Sequence, residues 1–438
     1  MISSIIFIVL LLVASLLFAK NVKTIIRNIK LGRDLNRSDR KGERFSLMAK
    51  VALGQSKMVV RPVAGLLHIV VYLGFIIINI EVLEIVLDGI TGKHRLFAPL
   101  GSLYYGLISA FEYLALSVLI ACVIFLIRRN VLRLKRFHNV EMTSWPKSDA
   151  NLILITEIML MGAFLLMNAA DAQLQNLGAE HYTKVGTFPV SGVFVKMFST
   201  ASVGTLVTIE RGLWWFHIIG IFAFLNYLPY SKHFHILLAF PNVFYSKLTA
   251  KGKIDNMEAV KKEVELMFDP SADPYAAPAE PQGEPQRFGA KDVTDLTWKQ
   301  LMDAYTCTEC GRCTDVCPAN QTGKLLSPRK ILMDTRDRLV EVGKGIDKNG
   351  KDFSDDKSLL RDYITEEELL ACTSCNACTE ACPVNNDPLS VIVDLRRYLI
   401  MEESKAPSEW TGVFTNIENN GAPWQFAQAD RLNWKNEQ

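Results

Sequence analysis

Positive charge is too scarce for a nucleic-acid binder. Lys and Arg number 48 against 46 Asp and Glu, a net charge of +2, too little to hold a polyanion. No basic residue precedes the first apolar stretch, residues 1–20. That stretch lacks the charged start of a cleaved signal peptide and reads as a retained membrane helix. No pair of interrupted apolar segments recurs in two halves, which removes the main sequence sign of a transporter. Cysteine is also sparse. There are nine, and eight fall in two short clusters near the C-terminus. Such grouping excludes a secreted disulfide framework and points to metal ligation in a reducing compartment. The ninth, Cys122, has no cysteine neighbour and reads as a small apolar filler.

Apolar sequence is abundant. Hydrophobic residues make up 49% of the chain and mean hydropathy is +0.15. Five segments, about 2–19, 63–87, 103–127, 151–172 and 213–240, reach the roughly 20 residues that cross a bilayer. The last contains Pro229, Lys232 and two histidines toward its end. Residues 20–61 carry twelve Lys/Arg, opposed by Asp34, Asp39 and Glu43. A second basic loop, 128–147, includes Arg128, Arg129, Arg133, Lys135 and Arg136. The loops at 88–102 and 171–212 are poor in positive charge. The alternation predicts an N-terminus outside and both basic loops inside a bacterial or archaeal inner membrane, with the C-terminal part in the cytoplasm.

The first cysteine run is Cys307-Thr-Glu-Cys310-Gly-Arg-Cys313-Thr-Asp-Val-Cys317-Pro318. The second is Cys372-Thr-Ser-Cys375-Asn-Ala-Cys378-Thr-Glu-Ala-Cys382-Pro383. Both have the bacterial ferredoxin spacing, in which the fourth cysteine ligates the other cluster. The spacing predicts two 4Fe-4S clusters. Cys307, Cys310, Cys313 and Cys382 take one; Cys372, Cys375, Cys378 and Cys317 take the other. Paired zinc sites are the competing reading, but zinc requires no Cys-Pro ending. Between the runs, residues 328–342 and 365–371 read as helices, so the domain is mostly helical.

The predicted fold is all-α: a five-helix transmembrane bundle followed by a mostly helical cytoplasmic dicluster ferredoxin-like domain. The membrane domain is expected over residues 1–245. An amphipathic helix (247–268) and a linker follow within 246–287. The linker carries Pro270, Pro274, Pro278, Pro281 and Pro285, a composition that cannot form a packed core. The dicluster domain covers 288–400. The tail, 401–438, with Trp410 and Trp424, is expected to dock on a partner or on this chain's own domain.

The cysteine runs, the segment Gly323-Lys324-Leu325-Leu326-Ser327-Pro328 and the helical spacer resemble the iron–sulfur subunit of heterodisulfide reductases. Related subunits of glycerol-3-phosphate dehydrogenase and other quinone-linked complexes share the likeness. In that family a double-cysteine motif with a further cluster sits on a partner polypeptide. This chain has no Cys-Cys pair. The resemblance therefore implies a substrate site on a cytoplasmic partner chain.

Seven histidines are present. Polar groups inside a bilayer are costly and default to function. His68 lies about seven residues into the second apolar segment, and His235 lies near the inner end of the fifth. At 1.5 Å per residue both reach similar depth, as the two axial ligands of a b haem would. His217 is eighteen residues before His235, near the outer face, where a second haem could bind. His94, His138, His181 and His233 lie in loops or at interfaces and read as structural. The membrane part resembles the gamma subunit of respiratory nitrate reductase. The likeness rests on five spans, His68 with Gly74 and Phe75, and His217 with Pro229-Tyr230-Ser231-Lys232-His233-Phe234-His235. In that family a second histidine follows the first by ten residues; here that position is Ile78. The resemblance thus implies the inner haem. His217 needs another partner, with Met161 and Met167 as candidates.

Glu81, Glu84, Glu112 and Glu157 fall inside apolar segments. They could handle protons of a quinone, or pair with an arginine such as Arg211. The expected function is an electron-transfer subunit of a quinone-linked oxidoreductase complex. It joins the membrane quinone pool, through haem b, to a cytoplasmic partner through the two clusters. The alternative is a haem-free, membrane-anchored iron–sulfur module that couples to a transporter or senses redox state.

Overall fold

The computed structural model describes residues 2–271 and 287–436. Five helices are long and apolar enough to cross a membrane: Ile2–Ile29, Pro62–Thr91, Ser102–Val131, Trp145–Asn176 and Val203–Tyr230. The chain order of the first nine helices is α1 (Ile2–Ile29), α2 (Lys41–Met48), α3 (Pro62–Thr91), α4 (Ser102–Leu126), α5 (Trp145–Asn176), α6 (Val203–Tyr227), α7 (His235–Phe244), α8 (Glu258–Phe268) and α9 (Trp298–Thr306). Helix α5 packs between α4 and α6, α3 lies on α4, and α1 bridges α3 and α6.

Each span is apolar all round because lipid, not water, meets its outer face. Ile5, Leu16, Leu66, Leu73 and Leu103 point outward and are exposed. Phe7, Ile108, Phe111, Phe164 and Ile218 fill the bundle core. Pro62 opens α3, where a missing N–H costs nothing, and Gly92 closes it in left-handed conformation. A Cβ on Gly74 would lie 2.4 Å from Val118 Cγ2, so this glycine lets α3 and α4 touch.

The fifth span differs from the sequence expectation of 213–240. It runs from 203 to 230, and His235 is not on it. Pro229 tightens the helix end into a 3-10 turn, and Ser231 is extended (φ −112°, ψ 150°) and caps the next turn. His235 then opens α7. The apolar sequence continues across the break, which is why hydropathy alone merged the two helices. The helix expected at 247–268 forms only as α8; Gly252, Asp255 and Asn256 keep the preceding stretch in turns. Of the proline-rich linker, residues 272–286 lie outside the described residues.

After the membrane helices come α9, the helix Pro328–Asn349, and shorter helices at Glu366–Leu370, Ala377–Ala381 and Pro388–Arg397. No strand forms among the described residues. A single hydrophobic core crosses the junction with the bundle. It joins Ile25 and Ile29 of α1, and Leu228 and Phe234, to Leu296, Leu301, Leu332, Leu339 and Leu395. Arg27 forms a bidentate pair with Asp347 (2.6 and 3.1 Å), and Asn28 donates to the Tyr305 hydroxyl at 2.9 Å. The tail helix Ser408–Asn420 has no buried residue and leaves Val413, Phe414 and Ile417 exposed.

Candidate metal centre

The two cysteine runs fold alike. The third residue of each, Glu309 (φ 53°) and Ser374 (φ 56°), is left-handed, as are Gly311 (φ 73°) and Asn376 (φ 61°) two places on. Cys317 (φ −74°, ψ 117°) and Cys382 (φ −70°, ψ 123°) are extended, as a residue before proline prefers. This repetition turns backbone N–H groups toward sulfur. Ser374 N lies 3.4 Å from Cys372 Sγ, and Asn386 N lies 3.2 Å from Cys382 Sγ.

Cys307, Cys310 and Cys313 line one cavity together with Cys382 and Pro383 of the other run. Burial raises the Cys372 pKa, and Cys317 and Cys375 stand close enough to add to it. Among the described residues no three His, Cys, Asp or Glu side chains converge on a point that one ion would fill. The thiols surround a space. Burial, with neighbouring thiols adding to it, pushes Cys307 and Cys382 up to about 12; burial also pushes Cys378 to about 12. A thiolate quartet there needs cationic iron to offset desolvation, and the donor set suits a 4Fe-4S cluster. Only Cys375 of the eight is exposed.

Loops at one end of the bundle grip this region. Lys57 donates to the carbonyls of Glu380 (3.1 Å) and Cys382 (3.2 Å). Arg312, inside the first run, donates back to the Lys57 carbonyl at 2.7 Å. Arg329 is fully buried, 2.7 Å from Glu141 and 2.6 Å from the Arg136 carbonyl. Asn242 of α7 reaches the Val384 carbonyl at 3.0 Å. None of these anchors was anticipated from sequence, beyond the basic character of the loops.

His68 and His235 meet with ring centres 6.5 Å apart and planes inclined at 41°. Two imidazoles on opposite sides of one metal, with bonds of about 2 Å, have ring centres roughly 6–6.5 Å apart. His235 Nδ1 is 3.0 Å from the Lys232 carbonyl. A carbonyl only accepts, so Nδ1 carries the proton and Nε2 keeps its lone pair. Burial lowers the His235 pKa and keeps the ring neutral, the ligating form. His68 Nδ1 is buried without a partner. The separation suits two imidazoles holding one metal-centred group between them. His233 also packs inward, 5.6 Å from His235. His217 is buried, with Nδ1 3.1 Å from the Leu160 carbonyl and its ring against Phe164.

Glu81, Glu84 and Glu112 have partners other than Arg211, which pairs with Glu210. Arg95 lies 2.8 Å from Asp171 and 3.4 Å from Glu81. Glu84 accepts from the Tyr104 hydroxyl at 2.7 Å, and Glu112 from the Val190 N–H at 2.9 Å. One Glu81 oxygen and His94 Nδ1 are buried without a partner.

Residues 306–386 match the family described as 4Fe-4S dicluster domain. The match supports 4Fe-4S cluster binding by this cysteine-rich region. The chain is 29% identical, over 99% of its length and 61% of the relative's, to the probable iron-sulfur-binding oxidoreductase FadF of Bacillus subtilis. It is 26% identical to the EtfAB:quinone oxidoreductase of Syntrophomonas wolfei, over 92% of this chain and 55% of that one. A shorter stretch, 27% of this chain and 60% of the relative, is 31% identical to one polypeptide of the ferredoxin/F(420)H(2)-dependent CoB-CoM heterodisulfide reductase of Methanosarcina acetivorans. The chain thus spans about three fifths of the first relative's length. No solved structure matches it.

Proposed function

We propose that this chain passes electrons between a membrane quinone and a cytoplasmic oxidoreductase partner. Its held groups are one b haem at His68 and His235 and two 4Fe-4S clusters at the crossed cysteine quartets. When bound, these groups supply one-electron transfer. The chain's own work is to hold and align them. The observation that carries the reading is the 6.5 Å imidazole pair at the inner end of the bundle. The Arg312 loop of the first cysteine run, tied to Lys57 just before α3, adjoins it.

The polarity of the route follows from burial. Arg312 of the first run lies near His68, and the exposed Cys375 makes the other quartet the surface terminus. The partner therefore docks over the Cys375 loop. The resemblance to heterodisulfide reductases favours a partner with a double-cysteine motif. The name of the second relative pairs EtfAB with quinone, which supports flow from a soluble donor toward the lipid. The basic loops that grip the dicluster region support a cytoplasmic location for it and an N-terminus outside.

An optical spectrum of the detergent-solubilised chain tests the proposal. Dithionite should give the sharp bands of a low-spin b haem. His68→Ala and His235→Ala should each abolish them while leaving the non-haem iron intact. Iron and sulfide without haem in the wild-type chain would leave the haem-free module as the reading. Bands that survive both substitutions would discard the ligand assignment.

A further inference from the structure

Glu309 is a buried carboxylate within a cysteine run. Its left-handed backbone (φ 53°) is strained in a residue that is not glycine, so its surroundings must hold it there. The strained turn points its N–H at Cys307, as Ser374 does at Cys372. The holding groups differ. Ser374 Oγ meets Arg396 at 3.4 Å. Glu309 is clamped by two cations, Arg336 at 2.8 Å and Lys232 in direct contact.

Lys232 belongs to the segment that presents His235. Its carbonyl faces His235 Nδ1 at 3.0 Å, and its N–H donates to Asp149 at 3.2 Å. Its side chain, 9% exposed, also donates to the Pro146 carbonyl at 2.6 Å. One residue thus orients the histidine through its backbone and the cysteine loop through its side chain. We propose that Lys232 and Glu309 are a positioning pair that sets the reduction potential of the cluster held by Cys307, Cys310, Cys313 and Cys382, and locks that loop to the His235 segment. The proposal rests on the reading that this quartet holds a cluster.

Charge and hydrogen bonds near the sulfurs set a cluster's potential. Reduction adds negative charge. Removing the Glu309 charge should make reduction easier, and removing the Lys232 charge should make it harder. The opposite signs separate a tuning role from a structural one. The experiment is an EPR-monitored redox titration of the full-length, detergent-solubilised chain carrying E309Q, K232M or K232R. One cluster should shift upward in E309Q and downward in K232M, by about tenfold in its reduction equilibrium, or about 59 mV for one electron. The other cluster should stay in place, and K232R should match the wild-type chain. Shifts in the same direction, or none, at full iron content would overturn the proposal. So would loss of iron in both E309Q and K232R, which would make the pair a scaffold only. A wild-type chain without four-iron clusters would instead remove the underlying reading.

Discussion

The crossed ligation can be tested by counting iron. Cys310 lines the first cavity beside Cys382, although 72 positions separate them in sequence (382 minus 310), while Cys375 stands with Cys317 near Cys372. Two double substitutions probe it, and the first, C310A/C382A, separates crossed from uncrossed ligation while the second sets the level for loss of both clusters. In C310A/C382A both losses strike one quartet if ligation is crossed. About four of the roughly eight non-haem irons should remain. In C310A/C375A each quartet loses a ligand, and iron should fall toward zero. If each run held its own cluster, C310A/C382A would strip both. The single variant C382A should retain about four irons and serves as the control for folding. The assay is colorimetric iron and acid-labile sulfide on anaerobically purified protein, with EPR of the reduced sample to count surviving paramagnets. An iron content near zero in C310A/C382A, with about four irons in C382A alone, would refute the crossed arrangement.

Two further outcomes follow from the packing. Arg329→Met strands Glu141 beside a buried apolar surface, and breaking such a pair costs about 3–5 kcal/mol; the thermal unfolding midpoint in detergent should fall well below that of E141Q/R329M, in which both charges are gone. Equal midpoints for single and double variants would show that the pair carries no coupling. Gly74→Ala sets a methyl 2.4 Å from Val118 Cγ2 and should destabilise the bundle by about 1–3 kcal/mol. Val118→Ala should restore part of that loss when combined with it, and a double variant no more stable than G74A would remove this account of the α3–α4 contact.

The cysteine spacing and the long apolar runs were legible in sequence because each is a local pattern that a few neighbouring residues complete. The histidine pair was half legible. Depth arithmetic brought His68 and His235 to one level, yet the route to that level was wrong for His235. It reaches His68 through a proline-induced turn and a new helix, not along the fifth span, and hydropathy does not register a break between two apolar helices. The gripping contacts were illegible for another reason. Lys232 and Glu309 are 77 residues apart, Glu141 and Arg329 188, and Arg27 and Asp347 320. Each half reads as an ordinary surface charge until the fold supplies its mate. The membrane acids stand out in sequence, but Arg95, their main cation, lies in a short loop outside the spans, where a lone arginine carries no signal.

The shared core between the bundle and the iron–sulfur region has a consequence for biosynthesis. Helix α1 is made with its C-terminal end bare, and the residue that will cover Asn28 is made 277 positions later. Chain order therefore forces α1 to wait for a partner made long after it, a high-contact-order closure of the slow kind. Until then Ile25 and Ile29 present an uncovered apolar face at the membrane surface. The same geometry means that residues 288–400 cut free of the membrane part would carry the matching bare face into water, where it would drive aggregation. The two halves are joined as one folding unit rather than as a soluble domain on a tether.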